Sequence, residues 1–388
     1  MTASSLVFCD VSCLYAPTGG GIRTYHHSKL EWFAQQDAHQ YVFVHPGPQP
    51  GEERPARNVR IITIGGLPAG RGYRLPLNLS DVTSWIGRIR PDVLETGDPW
   101  FSGPLGLLAK RRGHTRLVSS FFHGDPIGTY VAPWVDRGRL RPLRSAAMQR
   151  MERWFFRVQR MYDVTVASSS WAAARLHDRG IERVMRSPMG ADAAFFAVGR
   201  QRRCLRQTGR RHRLLYAGRL QDDKGIAVLA ASLPRLLRET EATLTIAGVG
   251  PARDALARFA GPRVRLTGFV TSRAELVDLF AAHDILLAPG PHETFGLSAL
   301  EGLAAGLAVV GPDLGGTEEL LRQLEKPFIF RANDVEDFLA KVHEAMASEA
   351  GVEGVEQGLG LAERYGTWEQ AISNGVENYC RYLSRCTT

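Results

Sequence analysis

Cysteine is scarce in this sequence, with five among 388 residues. The spacing is irregular, and Cys9 and Cys13 do not form a C-x-x-C pair, so the sequence favours free thiols in a reducing compartment over a disulfide framework. Long apolar runs are lacking too: no stretch of about 18 apolar residues could span a bilayer. Residues 1–10 also lack the basic and apolar regions of a signal peptide. We therefore expect a cytoplasmic protein.

Acidic residues are the minority charge. The chain has 40 aspartates and glutamates against 48 lysines and arginines, for a net charge of +8. Such an excess suits an anionic nucleotide, an anionic lipid surface or a nucleic acid. No zinc-finger, RRM or KH signature is present, so we expect no nucleic-acid partner.

The basic excess is concentrated in residues 137–160, which contain eight arginines and one acid, Glu152. One helical face would comprise Met151, Trp154, Phe155, Val158 and Met161, and another Arg150, Arg153, Arg157 and Arg160. Two interpretations remain open: a helix lying on an anionic membrane surface, or a core-packed helix with a solvated basic edge. The first would place the protein peripherally on the inner face of the membrane.

The length and patterning indicate two domains, because strand patterns alternate with helical ones throughout and 388 residues can bury two cores. We place the domains at residues 1–190 and 212–365. Residues 191–211 are expected to be an exposed, arginine-rich linker. Residues 366–388 are expected to form a terminal amphipathic helix, with Trp368, Ile372, Val376, Tyr379 and Leu383 at helical spacing.

Two glutamates flank an apparent helix start in residues 291–302. The segment follows an apolar strand, so it should lie at a strand's carboxyl end, where open α/β sheets bind ligands. If the helix begins near Thr294, Glu293 and Glu301 are about 12 Å apart along the axis and about 80° apart around it. The N–H groups of Phe295, Gly296 and Leu297 would then lie in the first turn and favour an anion between the two carboxylates. A sugar nucleotide has this layout.

Arg219 and Lys224 follow a second apolar strand, in the connection to another predicted helix. Arginine offers a rigid fork and lysine a point charge, which together suit a diphosphate. The glycine run of a P-loop is missing before Lys224.

These segments resemble, in order and spacing, the family 4 retaining glycosyltransferases of the GT-B fold. The resemblance covers most of residues 212–385. Its motifs are Gly218 and Arg219 with Lys224 and Gly225, then Gly248-Val249-Gly250-Pro251, Gly268-Phe269-Val270, Glu293 with Glu301, and Gly315-Gly316-Thr317-Glu318. The resemblance implies two Rossmann-like doubly wound domains that face a cleft, with the donor bound by the second domain and the terminal helix crossing back to the first.

The amino-terminal half resembles the family more loosely. Gly20 and Gly21 lie in a glycine-rich turn that opens a helix, and such a turn can present N–H groups to phosphate. The resemblance places this turn near the donor phosphates. Residues 121–125 resemble the family's histidine-containing loop, which implies that His123 lies near the transferred sugar. Asp125 is then either a base that orients the acceptor or a turn cap.

The implied activity is transfer of a hexose, mannose or glucose, from a UDP- or GDP-linked donor to a hydroxyl, with retention and without a metal or other cofactor. A lipid-linked or envelope glycan acceptor would suit the membrane-surface interpretation of residues 137–160. The resemblance implies that Glu301 binds the ribose, that Glu293 and His123 contact the donor sugar, and that Arg219 and Lys224 bind the diphosphate. Phe269 and Val270 are candidates for contact with the base.

Three alternatives stay open. A nucleotide-sugar epimerase or an inverting GT-B transferase would keep the same two domains. A non-catalytic protein that binds a membrane surface or nucleic acid is a more distant alternative. A metal site is not expected, because no H-E-x-x-H pattern or similar ligand set completes His292 and Glu293.

Overall fold

The computed structural model describes residues 5–17, 19–69, 72–124, 141–203, 212–348 and 352–385. Their strands form two sheets, one of nine strands and one of six. We call the parts of the chain around these sheets the amino-terminal half and the carboxyl-terminal half.

The nine-stranded sheet has the order β3-β4-β2-β1-β6-β7-β8-β9, with β5 added to β4. All pairings are parallel except those of β3 and β5 with β4. Its central strands are apolar because helices cover both faces. The strands are β1 Val7–Val11, β2 Gln40–Gly47, β3 Gly51–Ala56, β4 Val59–Pro68, β5 Arg74–Pro76, β6 Val93–Thr96, β7 Leu117–Phe121, β8 Val164–Ala167 and β9 Val184–Arg186. The described helices of this half are α1 Gly21–Ala34, α2 Leu79–Ile89, α3 Ser102–Arg111, α4 Arg141–Gln159 and α5 Ser170–His177.

The six-stranded sheet is wholly parallel, in the order β12-β11-β10-β13-β14-β15. Its strands are β10 Arg213–Ala217, β11 Thr243–Ala247, β12 Val264–Gly268, β13 Ile285–Leu287, β14 Ala308–Pro312 and β15 Phe328–Phe330. The remaining helices are α6 Ala193–Arg203, α7 Ile226–Glu239, α8 Arg253–Ala257, α9 Arg273–Ala281, α10 Leu297–Ala304, α11 Gly316–Leu321, α12 Val335–Ala347, α13 Val352–Tyr365 and α14 Trp368–Arg385, with a 3-10 turn at Asp222–Lys224. Parallel strands alternate with helices in both halves, as the patterning predicts.

Helix α6 occupies much of the segment expected to be an exposed linker. Its Phe195 and Phe196 are buried, and Phe195 packs edge-on against Phe280 of α9 at 5.0 Å between ring centroids. Residues 193–203 are therefore a packed helix, because the two adjacent aromatic side chains outweigh the arginines that suggested a linker. Residues 204–211 lie outside the described part of the chain.

The chain passes between the halves at two neighbouring points. Ala191 and Thr367 form a parallel bridge, in which the Ala191 N–H donates to the Gly366 carbonyl at 3.1 Å and the Trp368 N–H donates to the Ala191 carbonyl at 3.0 Å. Gly366, at φ 81°, separates α13 from α14. These backbone bonds tie the two crossing segments together.

Helix α14 packs on the amino-terminal half. Its five predicted apolar positions, from Trp368 to Leu383, are all buried. The Tyr379 hydroxyl donates to Glu95 Oε2 at 2.7 Å and lies 2.8 Å from Ser119 Oγ. Both partners belong to strands of the nine-stranded sheet, so the end of the chain is fixed to the half in which the chain begins.

Candidate active site

A cleft with a volume of about 680 Å³ lies between the two halves. It follows the carboxyl ends of both sheets, where β1 neighbours β6 and β10 neighbours β13. At these switch points successive connections leave the sheet in opposite directions and open a crevice for a ligand. The predicted site residues that line it are Gly20, Gly21, His123, Arg219, Lys224, Phe269, Val270, Glu293, Phe295, Gly296, Leu297 and Glu301. Asp125 lies outside the described residues.

The helix in the double-glutamate segment begins later than predicted. Helix α10 starts at Leu297 rather than near Thr294, and Gly296 caps it with φ 84°. Phe295 and Gly296 therefore precede the helix, and its first turn supplies the N–H groups of Leu297, Ser298 and Ala299. The helical separation calculated for Glu293 and Glu301 does not apply, because Glu293 lies in the loop. Only a glycine readily adopts this left-handed backbone, which the sequence pattern did not specify.

Gly296 also has a packing role that we did not predict. A Cβ at this position would lie 2.6 Å from Thr317 Oγ1 and 3.0 Å from Thr317 Cα. Gly316, one residue earlier, donates its N–H to the Glu293 carbonyl at 2.7 Å. The glycines thus let α11 pack directly against the segment that contains Glu293.

Glu301 lies in the second turn of α10 and is 8% exposed. Burial raises the pKa of its carboxyl to about 7; Arg273 lowers it and Asp192 raises it to a smaller extent. A carboxyl with this pKa changes charge within the physiological range. Such a group at the wall of a cleft is a candidate for ligand contact.

Arg219 and Lys224 enter the cleft from the connection after β10. Arg219 donates to Gln221 Oε1 at 3.0 Å and to Asp223 Oδ2 at 3.4 Å, which orient its guanidinium. Lys224 Nζ donates to Glu293 Oε1 at 2.6 Å. An ion pair therefore joins the connection that contains Arg219 and Lys224 to the segment that contains the two glutamates.

Gln221 and Asp223 are supporting residues that the sequence analysis missed. Asp223 is 7% exposed although it lies in a polar turn. The sequence does show an acid between two predicted phosphate-binding cations. It does not show that this acid is buried, because the burial depends on the turn geometry. Gly225, at φ 70°, makes the close approach possible, since a Cβ there would be 2.2 Å from the Pro289 carbonyl oxygen.

His123 enters the cleft from the opposite half, just after β7. Its carbonyl accepts a hydrogen bond from Thr294 Oγ1 at 2.8 Å, next to Glu293. Its ring stacks on Phe121 at 4.3 Å and meets Tyr25 edge-on at 5.2 Å. From the same half, Gly21 begins α1 and lies close enough to Leu297 that a Cβ would be 3.6 Å from Leu297 Cδ2.

The His123 ring is neutral. Burial lowers its pKa to about 3, with a smaller lowering from His26 and Lys29 and an opposing effect from Asp10. Both ring nitrogens are buried and have no hydrogen-bond partner among the residues that the structure describes. Buried polar atoms are nearly always paired, so two such nitrogens on a residue that lines the cleft favour a polar ligand group as a partner.

A buried charge cluster supports this side of the cleft, and the sequence analysis missed it. Lys29 Nζ lies 2.7 Å from Asp10 Oδ2 and 3.3 Å from Glu95 Oε1. The Tyr25 hydroxyl donates to the same Glu95 oxygen at 2.9 Å. The sequence does contain a signal for this cluster, because Asp10 and Glu95 are acids within the apolar strands β1 and β6. The cluster fixes α1, and hence the Gly20 turn, against the sheet.

Residues 137–140 of the basic segment lie outside the described part of the chain, and most of its remainder is helix α4, whose outer face is both apolar and basic. In α4, Phe155 and Val158 are buried as predicted for core packing, whereas Met151 and Trp154 are 38% and 39% exposed. Trp154 stacks on Trp100 at 5.3 Å between ring centroids. Exposed arginines alternate with these side chains, namely Arg150, Arg153, Arg157 and Arg160. Of the helices in the described residues, none has the length and apolar character needed to cross a membrane.

Comparisons with known proteins agree with this geometry. The model of "Glycosyl transferases group 1" matches residues 211–348, and that of "Glycosyltransferase Family 4" matches residues 19–195. A GDP-mannose-dependent alpha-(1-6)-phosphatidylinositol dimannoside mannosyltransferase of Mycobacterium tuberculosis is 32% identical over 314 residues, 78% of either chain. A GDP-mannose-dependent alpha-mannosyltransferase of Corynebacterium glutamicum is 28% identical over 68% of this chain and 60% of its own length.

The solved structure of sucrose-phosphate synthase from Thermosynechococcus elongatus has a TM-score of 0.78 to this chain. The alignment covers 98% of this chain and 100% of the synthase at 17% identity, so the likeness concerns the fold. It confirms the predicted pair of Rossmann-like units. Together with the two family models, it shows that the chain belongs to the family 4 glycosyltransferases and has the GT-B fold.

Proposed function

We propose that this glycosyltransferase moves mannose from GDP-mannose to a hydroxyl acceptor with retention of anomeric configuration. The observation on which the proposal most depends is the 2.6 Å pair of Lys224 and Glu293 beside the N-terminus of α10. It places a cation suited to phosphate and a carboxylate suited to hydroxyls at the switch point of one sheet. We propose GDP-mannose, and not a UDP-sugar, as the donor because two relatives are GDP-mannose-dependent mannosyltransferases.

The leaving diphosphate is the first chemical problem. The bond to the sugar breaks through an oxocarbenium-like transition state while negative charge develops on the leaving group. Arg219 and Lys224 stabilise that charge together with the N–H groups that begin α10, and preorganised groups of this kind usually supply the largest catalytic term. Since these groups provide positive charge directly, no metal ion is needed for the diphosphate to leave.

The sugar and ribose are held by groups on both walls of the cleft. Glu301, as a carboxylate, accepts hydrogen bonds from the ribose hydroxyls, and Glu293 accepts from hydroxyls of the mannose. His123 contacts the same sugar from the other half. A neutral imidazole can donate through one nitrogen and accept through the other, which matches a sugar hydroxyl. With a pKa of about 3, His123 orients a hydroxyl rather than acting as a general base at neutral pH.

The acceptor is proposed to be lipid-linked, with the protein held at an anionic membrane surface by α4. The described part of α4 has exposed arginines beside Met151 and Trp154, a combination typical of interfacial helices. Met151 also lines the cleft, so the basic face lies next to the place where an acceptor would enter. A peripheral position of this kind requires no membrane span.

The donor assignment is tested with the variant Lys224→Ala. Removing one preorganised cation should lower the transfer rate from GDP-mannose by roughly a hundredfold to a thousandfold. Lys326→Ala serves as the matched control, because it removes an exposed lysine of the same half. Unchanged transfer by Lys224→Ala would contradict the phosphate assignment. A melting-temperature panel with GDP-mannose, UDP-glucose and UDP-galactose identifies the base and sugar, and the anomeric form of the product decides between retention and inversion.

The membrane proposal is tested by sedimentation with vesicles. Binding to vesicles containing phosphatidylglycerol should exceed binding to pure phosphatidylcholine and should fall with added salt, because each surface arginine contributes about 1 kcal/mol. The triple variant Arg150→Glu, Arg153→Glu, Arg157→Glu should lose this binding. A charge-matched control changes three exposed arginines of the other half, Arg238, Arg322 and Arg331, to glutamate. Equal loss in both variants would mean that only net charge matters.

A further inference from the structure

The N-terminus of α5 is bound by a carboxylate from the other half of the molecule. Glu319, in α11, accepts from the Ser170 N–H at 2.9 Å through Oε1 and from the Trp171 N–H at 2.7 Å through Oε2. The next N–H, of Ala172, donates to Ser169 Oγ at 3.0 Å. Unpaired N–H groups at the start of a helix favour a negative charge, so this is a well-matched contact.

The same seam between the halves includes the segment of Glu293. Ser169 Oγ donates to the Thr294 carbonyl at 2.5 Å, and Thr294 Oγ1 donates to the His123 carbonyl at 2.8 Å. Helix α11, which contains Glu319, begins at Gly316, whose N–H binds the Glu293 carbonyl. The contact of Glu319 with α5 is therefore connected, through hydrogen bonds from hydroxyl and backbone N–H groups to backbone carbonyls, to residues that line the cleft from both walls.

We propose that Glu319 is a positioning residue that holds the two halves in the closed arrangement in which Thr294 meets His123. Two oxygens that bind two successive N–H groups fix both the distance and the relative rotation of α5 and α11, which one contact would not do. The Glu319 side chain is 21% exposed, so water competes weakly for the carboxylate. Arg186, whose Nη2 is 3.6 Å from Oε1, provides a further cation on the amino-terminal side.

This inference rests on the proposed function for the roles of His123 and Glu293. It predicts different effects on the binding of GDP and on the transfer of the sugar. The side chains assigned to the nucleotide, Arg219, Lys224 and Glu301, belong to the carboxyl-terminal half, and the amino-terminal half offers the phosphates only the backbone of the Gly20 turn. GDP binding should therefore depend little on closure. Contact of the sugar with His123 requires both halves, so transfer should depend on Glu319 whereas GDP affinity should not.

The test compares Glu319→Ala and Glu319→Gln with wild type. Each loses at least one hydrogen bond to a charged group, so kcat/KM for transfer from GDP-mannose should fall about tenfold to a hundredfold, with alanine the more severe. The Kd for GDP should change by less than about twofold, since the side chains of Arg219, Lys224 and Glu301 are unchanged. Glu336→Ala is the matched control: it removes an acid from the first turn of α12 that pairs with Arg235 within the same half.

Small-angle X-ray scattering provides a readout that does not require the donor to be known. The radius of gyration of the free protein should increase in Glu319→Ala and stay at the wild-type value in Glu336→Ala, with circular dichroism confirming that both are folded. An unchanged radius together with unchanged transfer kinetics would overturn the inference. If wild type fails to bind GDP while the radius still increases in Glu319→Ala, the proposed donor is wrong and the role of Glu319 in closure stands.

Discussion

Replacing Glu301 by glutamine should make the free protein more stable while weakening its hold on the donor. Glu301 has a folded-state pKa of about 7 against an ordinary value of 4.5, because burial penalises its charged form. At about 1.36 kcal/mol per pKa unit this difference corresponds to about 3 kcal/mol, an upper limit because the surroundings can relax around the charge. Glutamine has nearly the same shape and never ionises.

The pH dependence of this effect has a defined sign. Below pH 4.5 the carboxyl is protonated in both the folded and the unfolded protein, so wild type and Glu301→Gln should be equally stable. Between pH 4.5 and about 7 the unfolded state releases the proton while the folded state retains it, so wild type progressively loses stability relative to the variant. The advantage of the variant should be complete above about pH 7.

Urea denaturation at pH 5 and pH 8 measures this difference. Calorimetric titration with GDP at pH 8 should show affinity about tenfold to a hundredfold lower for the variant, because hydrogen bonds to a charged acceptor are lost. No gain in stability at pH 8 would refute the argument from burial. A gain in stability with unchanged affinity would leave burial intact and refute contact with the ribose.

Two further changes test the geometry of the cleft. Gly296→Ala should destabilise the protein by about 2 kcal/mol and abolish transfer, since alanine disfavours the left-handed backbone and its Cβ would meet Thr317; Gly261→Ala, where a Cβ would have no neighbour within 4 Å, is the control in the same denaturation assay. His123→Phe should keep the stack on Phe121 and leave stability unchanged or raised, because it removes two unpaired nitrogens, yet lower kcat about tenfold to a hundredfold; wild-type activity in that variant would exclude contact of His123 with the sugar.

The sequence predicts which residues line the carboxyl-terminal wall of the cleft, because its signals are local. Arg219 and Lys224 follow one strand, and Glu293 follows the strand that becomes its neighbour, so the rule that ligands bind at strand carboxyl ends places them together. This rule does not predict the ion pair between Lys224 and Glu293. Sixty-nine residues separate the two, and their contact depends on the pairing of β10 with β13.

The errors concern backbone details and packing. A helix that begins near Thr294 is expected from the sequence, whereas the left-handed conformation of Gly296 delays the helix to Leu297. The expected linker is largely α6, since Phe195 and Phe196 find a buried surface on the carboxyl-terminal half. In each case a tertiary contact decided the outcome, and a local pattern does not contain it.

The bonds that hold the halves together are separate from the cations that line the cleft, and this separation bears on how the product leaves. Arg219 and Lys224 line the carboxyl-terminal wall, and Arg23 lines the amino-terminal wall beside the neutral ring of His123. The seam bonds of Glu319, Ser169 and Thr294 involve none of these cations. If the seam governs closure, as we propose, the halves can open while the diphosphate is still bound to Arg219 and Lys224, and product release can follow opening.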